Sequence, residues 1–106
     1  MAEMEKEKDP AYRLFGLALA YDALGRKPES DANMADLITR YHTTADYQIA
    51  EVYAARRETD RAFESMERAY TEHDVGLTRI KGDPLLKNLV RDRRYAALLR
   101  KMRQPV

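Results

Sequence analysis

His42 and His73 are the side chains of this 106-residue chain best suited to acid–base or metal chemistry. They stand far apart in the sequence, on different predicted elements. A zinc site needs three or four converging ligands, and the sequence offers no such set near either one. His73-Asp74 is a metal-binding dipeptide only where further histidines join it, so it reads as the polar end of a helix. Ser30 and Ser65 have no histidine base nearby in sequence, and Ser30 falls at a small packing position. No glycine-rich run suits a phosphate. With no cysteine there is no thiolate nucleophile, disulfide or cysteine-based metal site. The many carboxylates read as solvated helix faces. The sequence therefore predicts no enzyme, no cofactor and no metal, and what it offers is surface.

The elements that carry this surface are helical. Glycine and proline number four each, against a background rich in Ala, Leu, Arg and Glu, a composition that favours helix throughout. The length suits one domain. Charged residues make up 35% of the chain and mean hydropathy is −0.70, so a soluble protein is expected. No apolar run approaches the ~18 residues of a membrane span. The opening MAEMEKEKDP has no apolar core for a signal peptide, and a cytoplasmic location is the simplest expectation.

Residues 1–9 read as a flexible charged leader and 10–106 as a single domain. Pro10 opens the first helix after Asp9, a capping residue before a proline that lacks the otherwise orphaned N–H. Leu14, Leu17, Ala18 and Tyr21 form the core stripe of that helix, and Gly25 ends it in a left-handed cap. Met34, Leu37, Ile38 and Tyr41 mark a second helix from about Pro28. Thr43 and Asp46 have the spacing of a capping box. The stretch YQIAEVYAARRETDRAFESMERAY, Tyr47–Tyr70, then reads as two amphipathic helices joined by a tight turn at Arg56–Asp60. Ile49, Ala50, Val52 and Tyr53 line the first. Ala62, Phe63, Met66, Ala69 and Tyr70 line the second.

This stretch resembles a tetratricopeptide repeat, a helical hairpin of roughly 34 residues. Ile49, Ala50, Tyr53, Ala62, Met66 and Ala69 fall on its Leu, Gly/Ala, Tyr, Ala, Tyr/Phe and Ala positions. Arg57 departs from the pattern where the turn usually has Gly, and Asp74 where the closing Pro often stands. Laid back over the preceding stretch in a single register, Ile49 falls on Leu17, Ala50 on Ala18, Tyr53 on Tyr21, Arg57 on Gly25, Ala62 on Ser30, Met66 on Met34 and Ala69 on Leu37. The same shift forward decays, with Ala50 on Gly82 and Met66 on Leu98. The tail, with Asp83-Pro84, Leu85-Leu86, Arg91-x-Arg93 and a final amphipathic helix Arg94–Met102, is similar to the closing segment of bacterial tetratricopeptide proteins. The resemblance implies an all-α, right-handed α-solenoid fragment: repeat 1 at about 11–42, repeat 2 at about 43–74, and capping helices at about 75–103. Two repeats fall short of the three or so that make a stable array, so the tail is expected to supply the missing layer. The N-terminal end has no such cap.

Charge is uneven. Residues 1–78 hold 10 Lys/Arg and 16 Asp/Glu, and residues 79–106 hold 9 Lys/Arg and 2 Asp. Cations favour helix C-termini and a terminal helix needs a polar outer face. Alternatively, the basic set Arg91, Arg93, Arg94, Arg100, Lys101 and Arg103 meets an acidic partner, a nucleic acid or a second copy. Aromatic interleaving is absent beyond Tyr95, which argues against nucleic acid.

The resemblance also implies a concave groove for a peptide or protein segment. Its register assigns Tyr12, Phe15, Leu19, Asp22 and Ala23 of repeat 1, and Thr44, Tyr47, Glu51, Ala54 and Ala55 of repeat 2. The Lys and Asn residues of a carboxylate clamp are missing there, so an apolar or aromatic ligand fits better. The expected function is a non-catalytic protein–protein interaction module, an adaptor or scaffold of bacterial type. Self-assembly as a homodimer is the alternative, followed by binding through the basic tail.

Overall fold

The computed structural model describes residues 10–42 and 44–102. These residues form an all-α chain: α1 (Pro10–Ala23), α2 (Lys27–Tyr41), α3 (Asp46–Ala55), α4 (Thr59–Thr71), two 3-10 helices (Val75–Arg79 and Pro84–Leu86), and α5 (Arg93–Lys101). The expected leader, the Asp9 cap, Thr43 and Arg103 lie outside the described residues. No helix among them is long and apolar enough to cross a membrane.

α1 packs on α2 and α3 on α4 as two hairpins, and α3 also meets α1, α2 and both 3-10 helices. Its central position follows from its side chains. Ile49, Ala50, Val52 and Ala54 are all fully buried, so the helix is apolar nearly all round, as a buried helix must be. The small positions sit where helices come close. Ala18, Ala50, Ala62 and Ala69 are fully buried. Ser30, at the small position of α2, is also fully buried and donates to the Ala18 carbonyl at 2.8 Å, a bond that offsets the cost of burying its hydroxyl.

Three helices end alike. Gly25, Arg57 and His73 take φ of +74°, +64° and +57°. The following amides of Arg26, Glu58 and Asp74 reach back to the carbonyls of Tyr21, Tyr53 and Ala69 at 2.8–2.9 Å, the six-to-one bond of a Schellman end. Gly25 adopts this conformation freely, whereas Arg57 and His73 carry the Cβ penalty of the left-handed region. Arg57→Gly relieves roughly 1–2 kcal/mol of left-handed strain against about 0.4–1 kcal/mol of added unfolded-state entropy, so a small net rise in stability is expected, read as a shifted midpoint in urea. The other signal for this hairpin differs from expectation. α3 starts at Asp46 with Ala45 at the cap and no side-chain cap bond. Asp46 is turned into the protein, where it is fully buried and meets Arg68 at 3.3 Å.

The tail is built on three evenly spaced aspartates. Asp74, Asp83 and Asp92 each stand in extended backbone and accept from the amide two places on, in Gly76, Leu85 and Arg94, at 2.8–3.0 Å. Leu77, Ile80, Leu86, Leu89, Leu98 and Leu99 join the main core. α5 lies along α4 with a constant offset. Arg94 pairs with Asp60 and Lys101 with Glu67, each 34 residues away. Asn88 donates to the Ala54 carbonyl at the same offset. Equal offsets at both ends of α5 mean that it runs parallel to α4. The segment after α4, where the sequence shows only a decayed pattern, is two 3-10 turns followed by this helix.

Candidate partner-binding surface

The surface expected from the repeat register divides in two. On α1, Tyr12 is 47% exposed, and its ring stands 5.8 Å from that of Phe15 at 50°. Phe15, Leu19 and Asp22 are half-buried, and Ala23 is exposed. On the second hairpin, Thr44 is exposed and Ala55 half-buried, but Tyr47, Glu51 and Ala54 are buried. The chain covers them with its own tail, and this corrects the expectation of an open groove on α3. Asp74 Oδ2 accepts from the Tyr47 amide at 3.0 Å. A Cβ built on Gly76 would lie 2.7–2.8 Å from Cβ, Cγ and Cδ2 of Tyr47, so the backbone of the first 3-10 helix rests directly on the ring.

Beneath the tail lies a polar cluster whose chemistry the sequence does not display. The Tyr47 hydroxyl donates to Asp83 Oδ2 at 2.5 Å, while Asp83 Oδ1 caps Leu85. The Glu51 carboxyl lies beside that of Asp83, close enough for the two to interact. Glu51 is only 3% exposed, and its Oε1 has no hydrogen-bond partner among the described residues. Arg79 stands 3.9 Å from it, with its guanidinium 5.3 Å over the Tyr47 ring. Two carboxyl groups in contact out of water cannot both ionise cheaply. Burial, and then Asp83, push Glu51 up to about 9. The Asp83 carboxylate is held below its usual range by Glu51 and by its bonds from Tyr47 and the Leu85 amide, which together outweigh its own desolvation. Burial and the adjacent Asp83 keep the Tyr47 phenol protonated far above its ordinary value. At neutral pH the pair thus holds one proton, on Glu51. Beside it opens a shallow cavity of about 390 Å³, lined by Glu51, Arg79, Lys81, Gly82, Asp83 and Pro84.

Chemically, this arrangement is a clasp. Both Asp83 oxygens are spent, one on the Leu85 amide and one on the Tyr47 hydroxyl, while Glu51 Oε1 stays unbonded among the described residues. Among the described residues no group of three His, Asp or Glu side chains could hold a metal. His42 and His73 are exposed at helix ends, and the His42 ring nitrogen Nδ1 lies 3.1 Å from the Ile38 carbonyl. A second carboxyl contact joins Asp46 to Glu72. Desolvation raises Asp46, Arg68 opposes the shift and Glu72 adds to it.

The basic tail residues also divide. Arg94 and Lys101 face α4. Besides their ion pairs, Arg94 stands 4.6 Å over the Phe63 ring and Lys101 4.6 Å over that of Tyr70. Arg91, Arg93 and Arg100 are exposed, with no ion pair among the described residues. What sequence reasoning missed is the pairing of Glu51 on α3 with Asp83 in the tail. The one available signal was a carboxylate at an inner position of α3 together with a cap residue in the tail.

Comparison with family models, with curated proteins and with solved structures finds no match to this chain.

Proposed function

We propose that this chain is a tetratricopeptide-type stack that acts as a non-catalytic protein–protein interaction module, an adaptor or scaffold of a bacterial cytoplasm. The stacked reading is supported by the near agreement of two periods. The apolar positions of the hairpins repeat in one register, Leu17 with Ile49 and Met34 with Met66. α5 lies on α4 at a similar offset, 34, as successive layers of such an array would. The observation that carries the function is the aromatic pair Tyr12–Phe15 on α1. The tail closes the corresponding positions of α3 and leaves Tyr12 exposed with Phe15 half-buried beside it. Aromatic side chains give large contact area at small entropic cost and dominate many interfaces. The partner is therefore a peptide or protein segment with an apolar or aromatic side chain.

The test is a peptide-array screen with the intact chain, followed by titration of the best binder. Tyr12→Ala with Phe15→Ala should preserve helicity and weaken binding about tenfold or more, as expected when two anchors are truncated. Undiminished binding by the double variant would refute the assignment. Nucleic-acid binding is less favoured, because Arg94 and Lys101 are already engaged with Asp60 and Glu67.

A further inference from the structure

The two hairpins can be compared position by position, and the same positions are covered on α3 but not on α1 by the described residues. On α3, Ile49 and Tyr53 are 0% and 9% exposed, and the Arg56 side chain is 7% exposed. Tyr53 and Arg56 face the preceding hairpin across a crevice lined by Asp31, Met34, Ala35 and Ile38. Arg56 bonds Ser30 and Asp31 there. One repeat earlier the same positions are Leu17, Tyr21 and Leu24. These form a wholly apolar stripe at i, i+4 and i+7. Leu17 and Tyr21 are only half-buried, and Leu24 is 69% exposed. Among the described residues, α1 therefore presents an anchor row of the kind that docks α3 on α2, with a leucine where α3 has an arginine.

We infer that this stripe is a dimerisation surface on which a second copy docks through the same stripe, related by a two-fold axis. Three observations select this occupant. The exposed face of α5 carries Arg93, Ala97 and Arg100, a charged row that offers no apolar complement, so head-to-tail stacking is disfavoured. A stripe of Leu, Tyr and Leu is complementary to itself, as an isologous contact requires. The cations flanking it bring their own carboxylates: Arg26 pairs with Glu29 at 2.6 Å and Lys27 with Asp31 at 3.0 Å. Two copies can thus approach without uncompensated like charge. Arg26, lying 5.3 Å over the Tyr21 ring, swings aside or stays as a lid on the contact. The stripe is short beside the roughly 1,200 Å² that stable dimers bury, so the dimer is reversible.

This inference rests on the stacked-hairpin reading, and the experiment separates the two. Sedimentation of the full chain from about 10 µM to about 1 mM should show mass rising from 12.3 kDa towards twice that value, a range set by the modest area. Leu24→Glu should weaken association at least tenfold while leaving the thermal melt unchanged, since Leu24 is exposed. The chain has no cysteine, so single cysteines report cleanly. Leu24→Cys should cross-link between copies under mild oxidation, and Arg100→Cys should not. A monomer at every concentration, or cross-linking through Arg100→Cys instead, overturns the proposal. Amide exchange of α5 reads the stack separately: protection there upholds the layered fold whatever the mass, and its absence refutes the stack.

Discussion

Replacing Glu51 with glutamine is expected to make this protein more stable at neutral and alkaline pH. The reason is linkage. The folded state holds the Glu51 proton up to about pH 9, while an unfolded chain releases it near the ordinary glutamate value, about 4.3. Between these values the native state binds more protons than the unfolded state, so stability falls as pH rises. One proton corresponds to a slope of up to about 1.4 kcal/mol per pH unit. Asp83, held below its usual value, acts in the other direction. Its contribution is present above the unfolded aspartate value and is lost as acid protonates it. The wild-type chain should therefore be most stable in mildly acidic solution and weaken steadily towards pH 9. Glu51→Gln keeps a donor for Asp83 and removes the titration. Urea midpoints at pH 5, 7 and 9 should fall for the wild type and stay nearly level for the variant. Parallel profiles would show that the pair carries no shared proton. Glu51→Ala, by contrast, leaves a cavity beside Asp83, which keeps only its bonds from Tyr47 and Leu85, and is expected to destabilise at every pH.

The second large effect is expected at Gly76. Even the single methyl of Gly76→Ala would fall 2.7–2.8 Å from the root of the Tyr47 side chain. Tyr47 is fully buried and fixed at both ends, its amide by Asp74 and its hydroxyl by Asp83, so it cannot turn away. The backbone of the tail must lift instead, which loosens Leu77 and Ile80 from the core. Overpacking of this kind costs typically about 1–3 kcal/mol, and Gly76→Val should exceed Gly76→Ala. The neighbouring Val75→Ala serves as control, because Val75 is 82% exposed. Equal stability of Gly76→Ala and Val75→Ala would mean that the tail does not rest on Tyr47 as described.

These two sites show where a sequence is legible and where it is not. The hairpins can be read because their signals are local. Apolar positions recur within one helix, Gly25 marks one left-handed end, and Asp83-Pro84 announces its own turn. A common register for the two hairpins could be proposed because both keep small and large residues in the same places. The inner face of α3 could not be read in this way. Tyr47 and Glu51 look like surface-compatible residues on an otherwise apolar helix, and only the arrival of Asp83 and Gly76 from the tail turns them into core. The tail repeats no pattern strongly enough to reveal that it lies in step along α4. Its ion pairs join residues whose types are ordinary on any helix face. Asp46 misled for the opposite reason: a plausible capping spacing hid a buried partner of Arg68.

The short reach of the contacts between neighbouring elements also bears on how the chain finds this structure. The bonds that tie the tail to the second hairpin span only 27, 34 and 36 residues, and each hairpin closes through a turn of a few residues. Almost every loop to be closed is short, so the entropic toll of finding partners is small. Helical chains rich in local contacts fold faster than those built on distant pairings. The natural sequence of events starts at the second hairpin, which alone touches every other layer. The first hairpin and the tail then add to its two sides, and on unfolding they should peel away first.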